Sequence, residues 1–176
     1  MRPWVWFSAT LAPILLIGGW TVAQSRQPSG YDPVRDTISA LAAHHATDAW
    51  IMTAGLAGLG ACHLITAFGW GDCGPVARAV LGLGGAATLV VAASPQPAAA
   101  HVPAAAIGFL ALAIWPAFTP RGFGAARWLS LALVFLLGWF ATTLALGSLV
   151  GLSERVLAGT QALTPVGLLI ARRLRS

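Results

Sequence analysis

Six apolar runs, each of roughly 17 to 23 residues and so long enough to cross a bilayer as a helix, divide this 176-residue chain. They lie at about 3–23, 48–70, 76–93, 98–118, 127–150 and 154–171. Because lipid offers no hydrogen bonds to a bare backbone, such runs fold as helices. The connecting segments carry the charge. If the N-terminus is cytoplasmic, Arg2, Arg78, Arg121, Arg127, Arg172, Arg173 and Arg175 fall inside, and Arg26, Arg35 and Arg155 fall outside. Seven against three predicts that both termini face the cytoplasm of a bacterial cytoplasmic membrane.

The residues are 57% hydrophobic and only 9% charged, which excludes the charged surface that keeps a soluble domain dispersed. The expected architecture is all-α, a polytopic membrane protein with six transmembrane helices in one bundle over residues 1–176. The first run follows Arg2, and Thr21 and Ala23 resemble a cleavage site, but the run is longer than a signal-peptide core and is expected to stay as a span. The net charge of +5 does not mark a nucleic-acid binder, since no basic patch is interleaved with aromatics. The partners expected are membrane lipids, with a second copy or a membrane protein also open.

Trp4, Trp6, Trp20, Trp50, Trp70, Trp115 and Trp128 lie near span ends, as rings seeking the head-group level should. Small residues recur at four-residue spacing, as Ala54, Gly58 and Cys62 and again as Gly82 and Ala86, and predict tight helix packing. Cys62 and Cys73 are read as unpaired.

The densest polar stretch is 31–45, where Ile38, Leu41 and Ala42 sit at helical spacing behind Asp36 or Thr37 as N-cap. This predicts a short outer-surface helix between spans one and two, lying as a lid over the bundle mouth. Ser94, Gln96 and His101, between spans three and four, and Glu154 and Arg155, before span six, are expected to complete a pocket with Arg35, Asp36 and Ser39. Across that mouth Arg155 and Glu154 are expected to pair with Arg35 and Asp36, or Arg155 to receive a lipid phosphate.

Asp32-Pro33, then Asp36-Thr37-Ile38-Ser39-Ala40-Leu41 before a second span, then a proline-bearing break followed by His101, and finally Glu154-Arg155 opening the last span, resemble the membrane family called domain of unknown function 998. The resemblance covers nearly the whole chain. It implies about six spans and brings no agreed activity with it. A more distant similarity runs to eukaryotic autophagy-modulator and GPI-anchor-remodelling membrane proteins, which share an Ile-Ser motif after the first span. Many relatives carry an acid after the motif serine and a glycine soon after, where this chain has Ala40 and Ala42.

Several chemistries are open to these residues. His44, His45 and His101 with Asp36 or Asp48 are of the types that bind zinc, although adjacent histidines lack the spacing of a helical metal pair. Ser39, His101 and Asp36 are candidates for nucleophile, base and orienter, without the sharp glycine turn of a nucleophile elbow. The plainer alternative has Ser39 bonding loop backbone and His101 satisfying carbonyls left free by Pro95 and Pro97. His63, deep in the second span, either bonds across to another helix or has a role of its own. The functional expectation is an outer-face polar pocket binding lipid head groups or a membrane partner. The alternative is a membrane-embedded lipid hydrolase or transferase, with zinc as its possible cofactor. A small transporter ranks last, because no span shows a broken helix or a membrane-depth acid.

Overall fold

The computed structural model describes residues 2–174, with the side chain of Arg121 excluded; Arg175 of the basic tail lies outside the described residues. Among those residues all regular structure is helical: α1 (Pro3–Ser25), α2 (Ile38–Leu41), α3 (Ala49–Gly69), α4 (Pro75–Ala93), α5 (His101–Ile114), α6 (Ala126–Leu146) and α7 (Val150–Arg173), with three short 3-10 turns. Proline opens α1 and α4, where its fixed φ suits the first helical turn and its missing N–H is not needed. At the end of α5 the chain tightens into a 3-10 turn, Trp115–Phe118, around Pro116.

Five of these segments are long and apolar enough to cross a membrane: Pro3–Ser25, Ala49–Gly69, Pro75–Ala93, His101–Phe118 and Ala126–Leu146. Helix α7 has the length, at 24 residues, but Glu154, Arg155, Gln161, Arg172 and Arg173 dilute its apolar character. It also begins at Val150, ahead of the expected start at Glu154. Gly147 and Leu149 both take left-handed backbone conformations (φ 68° and 58°), reversing the chain sharply after Leu146. Glu154 and Arg155 therefore sit on the second turn of a helix, not at its mouth.

The long helices pack in chain order, α1 on α3, α3 on α4, α4 on α5, α5 on α6 and α6 on α7, and α7 closes the ring against α1. The buried core has two large clusters and a small third one of Phe140, Val150 and Leu157 between α6 and α7. One large cluster, with Val5, Ala9, Trp70, Leu81, Trp115 and Leu169, lies toward the end that carries both termini. The other, with Leu16, Leu41, Met52, Leu59, Ala104 and Ala162, lies toward the opposite end, where α2 touches α1, α3 and α7. We call these the termini end and the lid end.

Of the expected small residues on α3, Ala54 is exposed, but Gly58 packs on Leu15 and Cys62 is buried; a tighter backbone approach lies on another face. It is between α3 and α4, where a Cβ added to Gly60 would lie 2.7 Å from the Gly85 carbonyl, and one added to Gly85 would lie 2.8 Å from the Gly60 carbonyl. Neither residue can gain a side chain without parting the backbones. The tryptophans also divide. Trp50 and Trp128 are 69% and 74% exposed, as interface residues should be, whereas Trp70 and Trp115 are fully buried and meet edge to face at 6.0 Å. Burial of two large rings at one end of the ring outweighs their attraction to head groups.

Gly85→Leu is expected to destabilise the fold by about 1–3 kcal/mol or more through forced helix separation. A lowered melting temperature of the detergent-solubilised protein checks this, with Gly122→Ala, which meets nothing within 4 Å, as the control. Both cysteines are free and buried. Burial pushes the Cys73 thiol, in the turn between α3 and α4, up to about 11, and its Sγ donates to the Trp70 carbonyl. Alkylation of Cys73 in the folded protein should thus be negligible at pH 8, and rapid labelling there by mass spectrometry would contradict its burial.

Candidate functional site

The lid is knotted by its own aspartates. Asp36 Oδ2 accepts from the Asp32 N–H at 2.8 Å, and Asp32 Oδ1 accepts from the Val34 N–H at 2.9 Å. Thr37 then caps α2, its hydroxyl accepting from the Ala40 N–H at 3.1 Å. The helix that follows is only four residues long, but Ile38 and Leu41 are fully buried and plug it into the ring. Behind it, Gln27 ties the segment's flanks together, donating to the carbonyls of Ala23 and Thr47 and accepting from the Thr47 N–H.

Helix α7 holds this segment from below. Arg155 Nη1 donates to the carbonyls of Pro33 at 2.9 Å, Asp36 at 2.8 Å and Gly151 at 3.0 Å, and its Nη2 donates to the Tyr31 hydroxyl. Burial raises the Tyr31 pKa above its ordinary value despite the opposing Arg155 charge, so the phenol stays neutral. Glu154, 3% exposed, accepts from the Ile38 N–H at 2.5 Å, and the Ser39 hydroxyl and N–H lie beside the same carboxylate. A carboxylate thus satisfies the first N–H groups of α2. Gly151 lets the two elements meet, since any Cβ there would run into the carbonyls of Asp36 and Pro33.

The expected pairing across the mouth is therefore replaced by another. Arg155 binds the carbonyl of Asp36 and not its carboxylate, and Arg35, its side chain 81% exposed, lies 3.6 Å from Asp32. The early start of α7 is the reason, because it turns Glu154 inward and leaves Arg155 under the lid.

Beneath α2 lies a cavity of about 50 Å³ at the centre of the ring, walled by apolar side chains of α1, α3, α4, α5 and α7. Five polar residues reach it: Ser39, His63, Thr88, Glu154 and Gln161. Thr88 is satisfied by the Gly84 carbonyl, and Gln161 Nε2 donates to the Phe109 carbonyl at 2.8 Å. Gln161 Oε1 and both ring nitrogens of His63 are buried without a partner among the described residues. The volume admits roughly three or four waters. His63 was legible as a candidate, but its place on the same cavity as Glu154 was not, and Gln161 was missed. The available signal was spacing, since Gln161 follows Glu154 by two helical turns and so shares its face.

The remaining candidates do not join this group. His101 is buried, and its Nδ1–H donates to the Ser94 carbonyl at 2.9 Å, closing the turn after α4. Gln96 is half-buried in that same turn, and His44, His45 and Asp48 are exposed on the connection to α3. Among the described residues no three His, Cys, Asp or Glu side chains gather to hold a metal ion. The group assembled around α2 is thus Ser39 and Glu154 facing the cavity, with Arg155 on α7 holding the lid, Asp36 within the lid and Arg35 outside.

Residues 10–171 match the family described as protein of unknown function (DUF998). The chain belongs to the DUF998 family. No curated protein and no solved structure matches this DUF998 protein.

Arg155→Ala removes the charged donor that Pro33, Asp36 and Tyr31 of the lid share, hydrogen bonds to a charged group being worth about 1.5–3 kcal/mol. Amide exchange over residues 31–38 should accelerate by roughly tenfold or more, while α3 to α5 keep their protection. Gly151→Ala should do the same by steric means. Unchanged exchange in both variants would show that the lid is held by Ile38 and Leu41 alone.

Proposed function

We propose that this DUF998 protein is a noncatalytic lipid-binding protein of the cytoplasmic membrane, with six spans, α7 as the sixth, both termini cytoplasmic and the lid on the outer side. Its site is the lidded cavity together with the rim residue Arg35. One observation supports it above all: His63 and Gln161 present unpartnered polar atoms to an apolar cavity that also holds Glu154 and Ser39. Polar atoms left unpaired in such surroundings are costly, so the cavity is suited to a ligand that both donates and accepts hydrogen bonds. Apolar walls around that group favour an amphiphile whose hydroxyl or amine reaches Glu154. At about 50 Å³ the cavity holds only a few atoms of such an amphiphile, the rest of which would extend beyond it.

The test is native mass spectrometry of the protein purified in mild detergent with membrane lipid present. The wild type should retain a lipid that His63→Leu and Gln161→Leu lose by about tenfold, because the leucines match the walls and remove the hydrogen-bonding demand. Equal retention in all three would overturn the reading.

A second reading, a membrane-embedded lipid hydrolase or transferase, is favoured by the Ser39 hydroxyl lying beside the Glu154 carboxylate, with His63 on the same cavity. There Glu154 would take the serine proton. Covalent labelling of Ser39 by a fluorophosphonate, absent in Ser39→Ala, would support it, and no labelling of protein whose lid is loosened by Arg155→Ala would remove it.

A further inference from the structure

A second cleft opens at the termini end, far from the lid, between the start of α1 and the turn joining α3 to α4. Its volume is about 730 Å³, within the range of small-ligand sites. Arg2, Phe68, Trp70, Asp72 and Arg78 line it. Arg78 donates through Nε to the Ala67 carbonyl and through Nη2 to the Phe68 carbonyl, both at 2.8 Å. These bonds close the last turn of α3 and fix the plane of the guanidinium, while Nη1 has no protein partner among the described residues. Arg2 is exposed and lies 5.7 Å over the Trp4 ring, which stacks on Phe68. Asp72, the acid in the cleft, is offset by Arg172 at 3.2 Å.

We propose that this cleft binds a phosphate ester, presented by the head group of an anionic phospholipid. Two guanidiniums, one of them oriented by its own hydrogen bonds, supply the forked donors that phosphate oxygens accept. The site sits where a head group sits, at the ends of α1, α3 and α4, and the exposed Phe68 ring and Trp4 beside it offer apolar surface to the glycerol and upper chains. The contrast with the lid end is direct. There Arg155 is committed to carbonyls and a phenol, whereas here the Arg2 guanidinium donates no hydrogen bond to protein among the described residues. The proposal is independent of the ligand assigned to the lidded cavity.

The full-length protein in detergent is titrated with phosphatidylglycerol, with phosphatidylcholine of the same chains, and with inorganic phosphate as competitor, read by native mass spectrometry. The wild type should prefer phosphatidylglycerol several-fold. Arg2→Gln, which leaves the α3 closure by Arg78 intact, should reduce that preference by about three- to tenfold, and Arg2→Gln with Arg78→Gln should abolish it. Arg127→Gln, at the same end but outside the cleft, should leave it unchanged. Equal binding of the two lipids, or an equal loss with Arg127→Gln, would overturn the site in favour of general surface charge. Displacement of phosphatidylglycerol by millimolar inorganic phosphate would overturn the lipid source and leave a soluble phosphate as the ligand. Should the double variant fail to fold, Arg2→Gln alone decides, with its melting temperature as the check on folding.

Discussion

Two adjacent charges on one helix, Glu154 and Arg155, have to be discharged somewhere in an apolar ring, and the backbone of the lid is where both go. Arg155 takes up the carbonyls of Pro33 and Asp36, and Glu154 takes up the N–H of Ile38. The two requirements are complementary. A five-residue turn followed by the first turn of a helix offers carbonyls on one side and unpaired N–H groups on the other. Neither side chain would keep these partners without the lid, and the lid, with a helix of four residues, has little apolar surface of its own to hold it in place.

That mutual dependence creates the cavity. Ile38 and Ser39 of α2 form one wall of it, opposite residues of α1, α3, α4, α5 and α7. With Ile38 and Leu41 seated, water access is reduced to a small volume, and every polar atom lining it gains in electrostatic weight. Helix α6 does not reach the cavity. It closes the ring between α5 and α7 and presents apolar side chains such as Leu131 and Phe135 outward, as a lipid-facing helix should. The ring is thus divided between helices that face lipid and helices that carry the polar centre, with α7 the most polar of them.

Legibility in the sequence followed the same division. Helix positions were readable because hydropathy and length report a single long-range requirement, the burial of backbone in lipid. The lid and its N-cap were readable because Thr37, Ile38 and Leu41 obey local rules. The partners of Glu154 and Arg155 were not, because side chains that bond to backbone atoms leave no complementary residue type to find. A search for pairs led to Arg35 and Asp36, whose side chains are used within their own turn. The start of α7 was hidden for a related reason: Leu149 takes a left-handed conformation that nothing in its identity suggests. Trp70 and Trp115 misled in the opposite direction, since a tryptophan near a span end fits an interface or a core equally well.

The arginines carry two kinds of information that are easily merged. Their count on alternate connections concerns orientation, and for that purpose every arginine is equal. Their chemistry depends on what each guanidinium already touches. Of the three assigned to the lid end, Arg155 is engaged through both Nη atoms and Arg35 lies against Asp32. At the termini end Arg172 pairs with Asp72 as well as lying over the Phe123 ring, but Arg2 lies over the Trp4 ring and Arg78 is held by helix carbonyls that leave a donor edge free. Ring faces and carbonyls orient a guanidinium without neutralising it, whereas a carboxylate does both. Orientation without neutralisation is what an anion site requires, and Arg2 and Arg78 meet that requirement in the cleft proposed above.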